Sequence, residues 1–224
     1  MASPFGGAVG ILGGSFNPVH NGHLRLAIEA REVLGLSRVE LLPAKVPPHK
    51  GESGLLPFEV RLSLLRLAVQ GVDGLEASAL EGQLPVPSYS YATLARLREL
   101  DPSTSFVFVL GSTDFLTLPQ WHRGLELPLV TDMAVVDRLG LGQEAVDAFL
   151  DAHWDWSVEE GGARRITGGR RIVLVPMERL DISASMVREK FCAGLETSGL
   201  VPEAVRGRML ADPHLFKDCW NVSP

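Results

Sequence analysis

Cysteine is scarce in this chain, with only Cys192 and Cys219 among 224 residues. Two cysteines without metal-ligand spacing argue against a cysteine-based metal site and against a disulfide-stapled scaffold. We interpret both as reduced thiols, and a disulfide between them is the less favoured alternative. The pattern assigns neither cysteine a part in catalysis.

Long apolar runs and an excess of basic residues are also lacking. No segment approaches membrane-spanning length, and the N-terminus has no basic stretch followed by a long apolar one, so we expect a cytoplasmic protein. The formal net charge of −6 gives no global attraction to nucleic acids or anionic membranes. We therefore predict neither as a partner, and an anionic ligand must be bound by cations gathered locally. The sequence leaves the oligomeric state open.

What is present indicates one compact domain over residues 1–224, because 46% of the residues are hydrophobic and the charges are spread along the chain. Helical patterns follow short apolar runs, for example at Leu24–Leu34 before Gly35 and at Tyr91–Leu97. This alternation predicts an α/β fold, Rossmann-like and doubly wound, with a mostly parallel sheet, helices on both faces and a small helical C-terminal part. The runs expected to form strands are AVGIL, RVELL, SFVFVLG, MAVVD and RRIVLVP.

The stretch from Gly140 to Arg171, with the Gly/Arg-rich residues 161–171 at its end, has no clear pattern. We favour a solvated loop because glycine-flanked charge is usually exposed, and a lid or a hairpin are the alternatives.

The stretch GGSFNPVHNGH, from Gly13 to His23, follows the first predicted strand. Gly13 and Gly14 permit close approach by a ligand, and Ser15 and the following amides can donate hydrogen bonds to a phosphate. A helix starting near Gly22 or His23 would add its free amides, with His20 and His23 on either side. The spacing matches neither the dinucleotide fingerprint nor the phosphate-loop signature. A tight turn with structural histidines is the alternative.

The whole stretch resembles the G-G-[ST]-F-[DN]-P-x-H-x-G-H signature of the nucleotidylyltransferase superfamily, and specifically of nicotinate-nucleotide adenylyltransferases. Further matches follow in family order and cover most of the chain: PPHK at Pro47–Lys50, PSYSYATL at Pro87–Leu94, LGSTDFLTLPQW at Leu110–Trp121 and DISASMVRE at Asp181–Glu189.

The resemblance implies adenylyl transfer from ATP to nicotinate mononucleotide, with Mg²⁺ carried on the ATP and no protein metal ligand. It implies catalytic roles for His20, His23, Lys50 and Arg188, with His49 beside Lys50. ATP would also contact Gly13, Gly14, Ser15, Phe16, Asp114, Ser183 and Ser185. From the residues themselves, Ser183 is a good N-cap, and Ser185 and Arg188 share one helix face.

For the acceptor, the resemblance points to Thr93, Trp121 and His122. A packed core role is the alternative for Trp121. The chain departs from the family pattern at Ala92, Thr113 and His122, which leaves the acceptor open: nicotinamide mononucleotide or phosphopantetheine is the second enzymatic hypothesis. A nucleotide-binding protein with reduced catalysis is the third. We interpret Lys45, Arg61 and Arg138 as solvated or structural charges.

Overall fold

The protein is described from a computed structural model over residues 5–48, 53–138 and 140–220. The chain divides into two compact units, and each unit is assembled from three separate segments. Unit 1 comprises Met1–Gly13, Leu26–Glu40 and Tyr89–Leu180, and unit 2 comprises Gly14–Arg25, Leu41–Ser88 and Asp181–Pro224. No helix in the described ranges is both long enough and apolar enough to cross a membrane.

The described strands are β1 (Val9–Gly14), β2 (Arg38–Pro43), β3 (Leu75–Ala77), β4 (Phe106–Gly111), β5 (Asp132–Asp137), β6 (Trp156–Val158), β7 (Arg164–Ile166) and β8 (Arg171–Pro176). The helices are α1 (Asn21–Leu34), α2 (Phe58–Val69), α3 (Ser90–Leu100), α4 (Ser112–Leu116), α5 (Leu127–Val130), α6 (Gly142–Asp151), α7 (Ala184–Cys192), α8 (Glu203–Ala211) and α9 (Pro213–Trp220). Short 3-10 turns occupy Leu80–Gln83, Leu118–Gln120 and Gly124–Glu126.

All five apolar runs expected to form strands do so, and the mostly parallel α/β fold is confirmed. In unit 1 the strand order is β2-β1-β4-β5-β8-β7-β6, where β2 contributes its first three residues. The pairs β1/β4, β4/β5 and β5/β8 are parallel. Because β2 and β4 flank β1 on opposite sides, the strand order reverses at the carboxyl ends of β1 and β4. Gly13 and Gly111 lie at that edge.

The stretch 140–171 forms regular structure, so the favoured loop interpretation is wrong and the hairpin alternative is correct for its second half. Helix α6 comes first, and β6 then pairs antiparallel with β7, which pairs antiparallel with β8. Ion pairs hold this hairpin: Glu159 accepts from Arg165 at 2.7 Å and from Arg171 at 2.8 Å, and Arg164 donates to Asp147 at 2.7 Å. Three of the four arginines that suggested a solvated loop, Arg164, Arg165 and Arg171, are instead paired with carboxylates.

Unit 2 contains the end of β2, Leu41–Pro43, beside β3, together with the start of α1 and the helices α2, α7, α8 and α9. Helix α2 buries Leu62, Leu64 and Leu65. Phe191, Phe216 and Trp220 pack as an aromatic cluster with ring centroids 5.4–6.0 Å apart. The predicted helical C-terminal part is therefore present. Both cysteines of this unit are free, and burial raises the pKa of each thiol.

Asp137, at the end of β5, anchors a loop of unit 1. Its buried carboxylate accepts from the Ser112 hydroxyl at 3.0 Å, the Leu141 amide at 3.0 Å and the Gly142 amide at 2.8 Å. Burial acts to raise the pKa of this carboxyl, but the hydrogen bonds to its ionised form outweigh burial and the pKa is lowered.

We expect Asp137→Asn to lower the free energy of unfolding at neutral pH by about 1.5–3 kcal/mol, because a buried charged acceptor is lost. The folded-state pKa lies below the unfolded value of about 3.9, so the stabilisation is present above that pH and disappears as the pH falls through the folded-state pKa. Urea titrations from neutral to acid pH should show the gap between wild type and variant closing in acid. A gap that stays constant across this range would contradict the assignment, and Asp212→Asn, at an exposed position, is the matched control.

Candidate functional site

In the glycine-rich turn after β1, the residue with a left-handed backbone is the aromatic Phe16. Phe16 has φ of +44°, whereas neither Gly13 nor Gly14 is in the left-handed region. The Phe16 ring is buried and meets the His23 ring with centroids 4.8 Å apart. A Cβ on Gly14 would lie 3.2 Å from the Phe16 ring, so the glycine leaves room for it. Close packing, more than backbone freedom, explains the glycine at this position.

The two predicted histidines meet at the start of α1 in unit 2. Their rings stack with centroids 3.6 Å apart and an interplanar angle of 26°. The His20 amide donates to Nδ1 of His23 at 3.2 Å, and the His20 carbonyl accepts from the His23 amide at 2.9 Å. The His23 side chain thus supplies one half of a capping box, in the place of glutamate, whereas the other bond is accepted by the His20 backbone carbonyl and not by a side chain. Because Nδ1 of His23 accepts, Nε2 is the ring nitrogen that carries hydrogen.

Gly22 leaves room for the stacked His20 ring. A Cβ at this position would lie 3.0 Å from Nδ1 of His20 and 3.3 Å from the Ile182 carbonyl oxygen. The glycine of the H-x-G-H pattern thus has a packing reason.

Helix α7 brings Arg188 to the same turn. Ser183 caps the helix by accepting from the Met186 amide at 3.2 Å, as the sequence predicts. Arg188 donates to the Ser185 hydroxyl at 3.0 Å and to the Asn17 carbonyl at 2.8 Å. Within unit 2, a guanidinium, hydroxyls and the histidine-bearing turn are therefore connected directly.

Asn17 is a site residue that the sequence analysis did not single out. It is 6% exposed, and its amide nitrogen donates to the Gly54 carbonyl at 2.7 Å. Its Oδ1 accepts from the Leu56 amide at 3.1 Å and from the Trp220 indole at 3.4 Å. The available signal was its place in the signature, where only Asn or Asp occurs.

Arg61 was interpreted from the sequence as a solvated or a structural charge, and the structural interpretation is confirmed. Its side chain is fully buried, and it donates to the carbonyl oxygens of Leu56 at 2.8 Å, Ser15 at 2.9 Å, Ala44 at 2.7 Å and Lys45 at 3.1 Å. Burial lowers the pKa of the guanidinium to about 10, so it remains protonated at neutral pH. No local sequence pattern distinguishes it from the exposed arginines.

The predicted acceptor residues lie in unit 1. Thr93 is buried and its hydroxyl donates to the Tyr89 carbonyl at 3.2 Å, while the exposed His122 ring lies 4.2 Å from the Tyr89 ring. The half-buried Trp121 donates from its indole to the Thr117 hydroxyl at 3.1 Å. Asp114 is exposed in the first turn of α4.

The turn carrying Trp121 is fixed by Gly124. A Cβ there would lie 2.0 Å from the Leu118 carbonyl oxygen and 2.8 Å from Cβ of Trp121. The preceding Arg123 has φ of +55°, and its guanidinium lies 3.7 Å from the centroid of the Tyr91 ring. Only glycine fits this position, and it holds the indole in one place.

Two predicted residues, His49 and Lys50, lie outside the described residues. Within the described ranges, no group of three or more His, Cys, Asp or Glu side chains is arranged to hold a metal ion.

Comparisons with known proteins identify the family of this chain. Residues 11–190 match the profile of the cytidylyltransferase-like family. A protein of Pelobacter propionicus, named as a probable nicotinate-nucleotide adenylyltransferase, is 36% identical over 220 residues, covering 94% of this chain and 99% of its own. A protein of the same name from Chromohalobacter salexigens is 38% identical, covering 91% of this chain and 93% of its own.

Among solved structures, the fold is similar to that of Plasmodium falciparum nicotinic acid mononucleotide adenylyltransferase. The complex with NaAD gives a TM-score of 0.71 at 16% identity, covering 94% of this chain and 98% of that one. The complex with APC gives 0.70 at 15% identity, with 93% and 97% covered. At such identities the likeness concerns the fold alone. The family profile and the curated relatives carry the assignment: the chain belongs to the nicotinate-nucleotide adenylyltransferase family.

Proposed function

We propose that this protein transfers the adenylyl group of ATP to nicotinate mononucleotide, a step of NAD synthesis. A phosphate oxygen of the mononucleotide attacks the α-phosphorus of ATP, the bond from that phosphorus to the β-phosphate oxygen breaks, and pyrophosphate leaves. The products are nicotinate adenine dinucleotide and pyrophosphate. The observation that carries this proposal is the gathering of His20, His23 and Arg188 around one turn of unit 2.

Most of the groups proposed to bind a triphosphate belong to unit 2. His23 donates from Nε2, because its Nδ1 is engaged by the His20 amide. Arg188 has a planar fork suited to phosphate oxygens, and Ser185 already orients it. Ser15 and Ser183 supply hydroxyls, and Gly13, Gly14 and Phe16 shape the turn. Lys50 adds a cation in this proposal, and Asp114 contacts the ATP.

No protein nucleophile is needed, because the attacking phosphate is already ionised at neutral pH. Catalysis therefore rests on positioning two anions and on stabilising the charge that develops as pyrophosphate leaves. Mg²⁺ enters as part of the MgATP substrate, since Mg²⁺ commonly keeps water and phosphate oxygens as its ligands.

The acceptor mononucleotide is proposed to bind through unit 1. Trp121 offers a ring face to the pyridine and is held by the Thr117 bond and by Gly124. Thr93 and His122 are the other proposed acceptor contacts of this unit. We also propose that residues 1–224 act as one nucleotidylyltransferase domain, because each unit is built from three separate chain segments. We propose the cytoplasm as the location, because ATP and mononucleotides are available there.

His23→Asn separates the structural and catalytic halves of this histidine. Asparagine places an acceptor where Nδ1 lies and so keeps the bond to the His20 amide, but it has no group at the position of Nε2. We expect kcat to fall about 100- to 1000-fold, as when one donor to a developing anion is removed, with little change in Tm. Pyrophosphate release and thermal unfolding measure the two effects.

The control is His214→Ala, at an exposed position of α9, which should leave both quantities unchanged. His20→Ala should lower kcat as well. Wild-type turnover in His23→Asn would refute the phosphate role of this imidazole.

Acceptor choice tests the other half of the proposal. With ATP and Mg²⁺ fixed, we expect faster dinucleotide formation from nicotinate mononucleotide than from an equal concentration of nicotinamide mononucleotide. Trp121→Ala should raise the KM for the mononucleotide about tenfold through loss of stacking, and the KM for ATP should not change. Trp156→Ala, on the β6–β7 hairpin, is the control. A preference for nicotinamide mononucleotide or for phosphopantetheine would refute nicotinate mononucleotide as the acceptor. Turnover of none of the three compounds would refute the proposed activity.

A further inference from the structure

We propose that Arg61 is a positioning residue for ATP: from the interior of unit 2 it fixes the backbone of the turn that begins at Ser15 and of the segment that follows β2. This inference rests on the proposed function. It concerns a residue that contacts backbone carbonyl groups and does not itself touch substrate.

The Arg61 guanidinium donates mainly to carbonyl groups at the ends of two strands. Three of its four carbonyl partners lie just beyond the carboxyl ends of two strands: Ser15 after β1, and Ala44 and Lys45 after β2. The Ala44 amide also donates to the Gly14 carbonyl at 2.8 Å, so the two chain segments are already neighbours. One cation therefore sets the path of both as they leave the sheet.

In a planar trans peptide, the C=O of one residue and the N–H of the next residue point in opposite directions. A guanidinium that holds the Ser15 carbonyl on its own side directs the Phe16 amide to the other side. The segment after β2 follows this rule: Ala44 and Lys45 direct their carbonyls to Arg61, and the Lys45 and Val46 amides donate to Ser88 Oγ at 2.9 and 3.2 Å. Arg61 and Ser88 thus hold this segment from opposite sides.

The shape of the arginine side chain explains why arginine occupies position 61. Burying a cation is costly unless its hydrogens are used, and a lysine has one donor centre where arginine has a planar fork. The hydrogen bonds here engage Nε and both terminal nitrogens of Arg61. An apolar residue of the same size would leave the carbonyls without a donor, and lysine would reach only some of them. The geometry of the fork, beyond its charge, determines the shape of the turn.

The test compares Arg61→Lys with Leu65→Ala, a fully buried position on the same helix. Both variants should unfold at lower temperature, because one disturbs a buried polar network and the other leaves a cavity. We expect Arg61→Lys alone to lower kcat/KM for ATP, by about 100-fold, as when reacting groups are misplaced by about 1 Å. The KM for the mononucleotide should stay unchanged. Assays are run well below the lower of the two Tm values.

A chemical rescue measures the recovery of kcat/KM for ATP, which a general loss of stability would not produce. Arg61→Ala leaves a space for free guanidinium, so millimolar guanidinium chloride should restore part of the kcat/KM for ATP, and potassium chloride at equal ionic strength should not. Equal losses of kcat/KM in Arg61→Lys and Leu65→Ala, or no loss in Arg61→Lys, would overturn the inference.

The dissociation constant for ATP, measured by calorimetry, separates this inference from the proposed function. If wild type binds ATP but makes no dinucleotide, the proposed function fails. In that case a larger dissociation constant for ATP in Arg61→Lys than in Leu65→Ala still supports the positioning role. If wild type makes dinucleotide and Arg61→Lys does so equally well, only the positioning role fails. A wild type that binds no ATP would overturn both.

Discussion

The buried guanidinium of Arg61 is the interaction that joins the turn after β1 to the segment after β2 in unit 2. Strands that leave a sheet give up their ladder hydrogen bonds, and buried carbonyl groups at that point need other donors. Arg61 provides these donors to Ser15, Ala44 and Lys45 together. With its pKa lowered only to about 10, the group keeps its charge at neutral pH, and charged donors make the stronger hydrogen bonds. A single side chain thereby satisfies backbone groups that are distant in sequence.

In the proposed function, His23 and Arg188 have both a structural and a chemical part. His23 caps α1 with Nδ1 and so presents Nε2 as a donor, and Arg188 is held by Ser185 and by the Asn17 carbonyl. Groups fixed in this way need little reorganisation when an anion binds, which favours catalysis by positioning. In the proposed function, an acidic chain with a net charge of −6 binds highly charged nucleotides through the Arg188 guanidinium and the Nε2 donor of His23 at one turn.

The sequence predicted features that local chemistry decides. Buried strands have apolar runs, Ser183 has the hydroxyl of an N-cap, and the spacing of Ser185 and Arg188 places them together; all appear as expected. Pairing between distant segments was not predictable. The 140–171 stretch resembles a loop because its arginines meet their carboxylates only when the hairpin forms, and Arg61 resembles any surface arginine until distant carbonyls surround it. The catalytic, ATP-binding and acceptor-binding roles of the site residues remain predictions.

Isotope tracing of the α-phosphorus tests the central claim most directly. The purified protein would be incubated with nicotinate mononucleotide, Mg²⁺ and ATP labelled at either the α- or the γ-phosphorus, and the products separated. Adenylyl transfer predicts that the α-label appears in the dinucleotide and the γ-label in pyrophosphate, in equal molar amounts. An α-label that stays with AMP or ATP, or a γ-label on the mononucleotide, would contradict attack at the α-phosphorus and with it the proposed reaction.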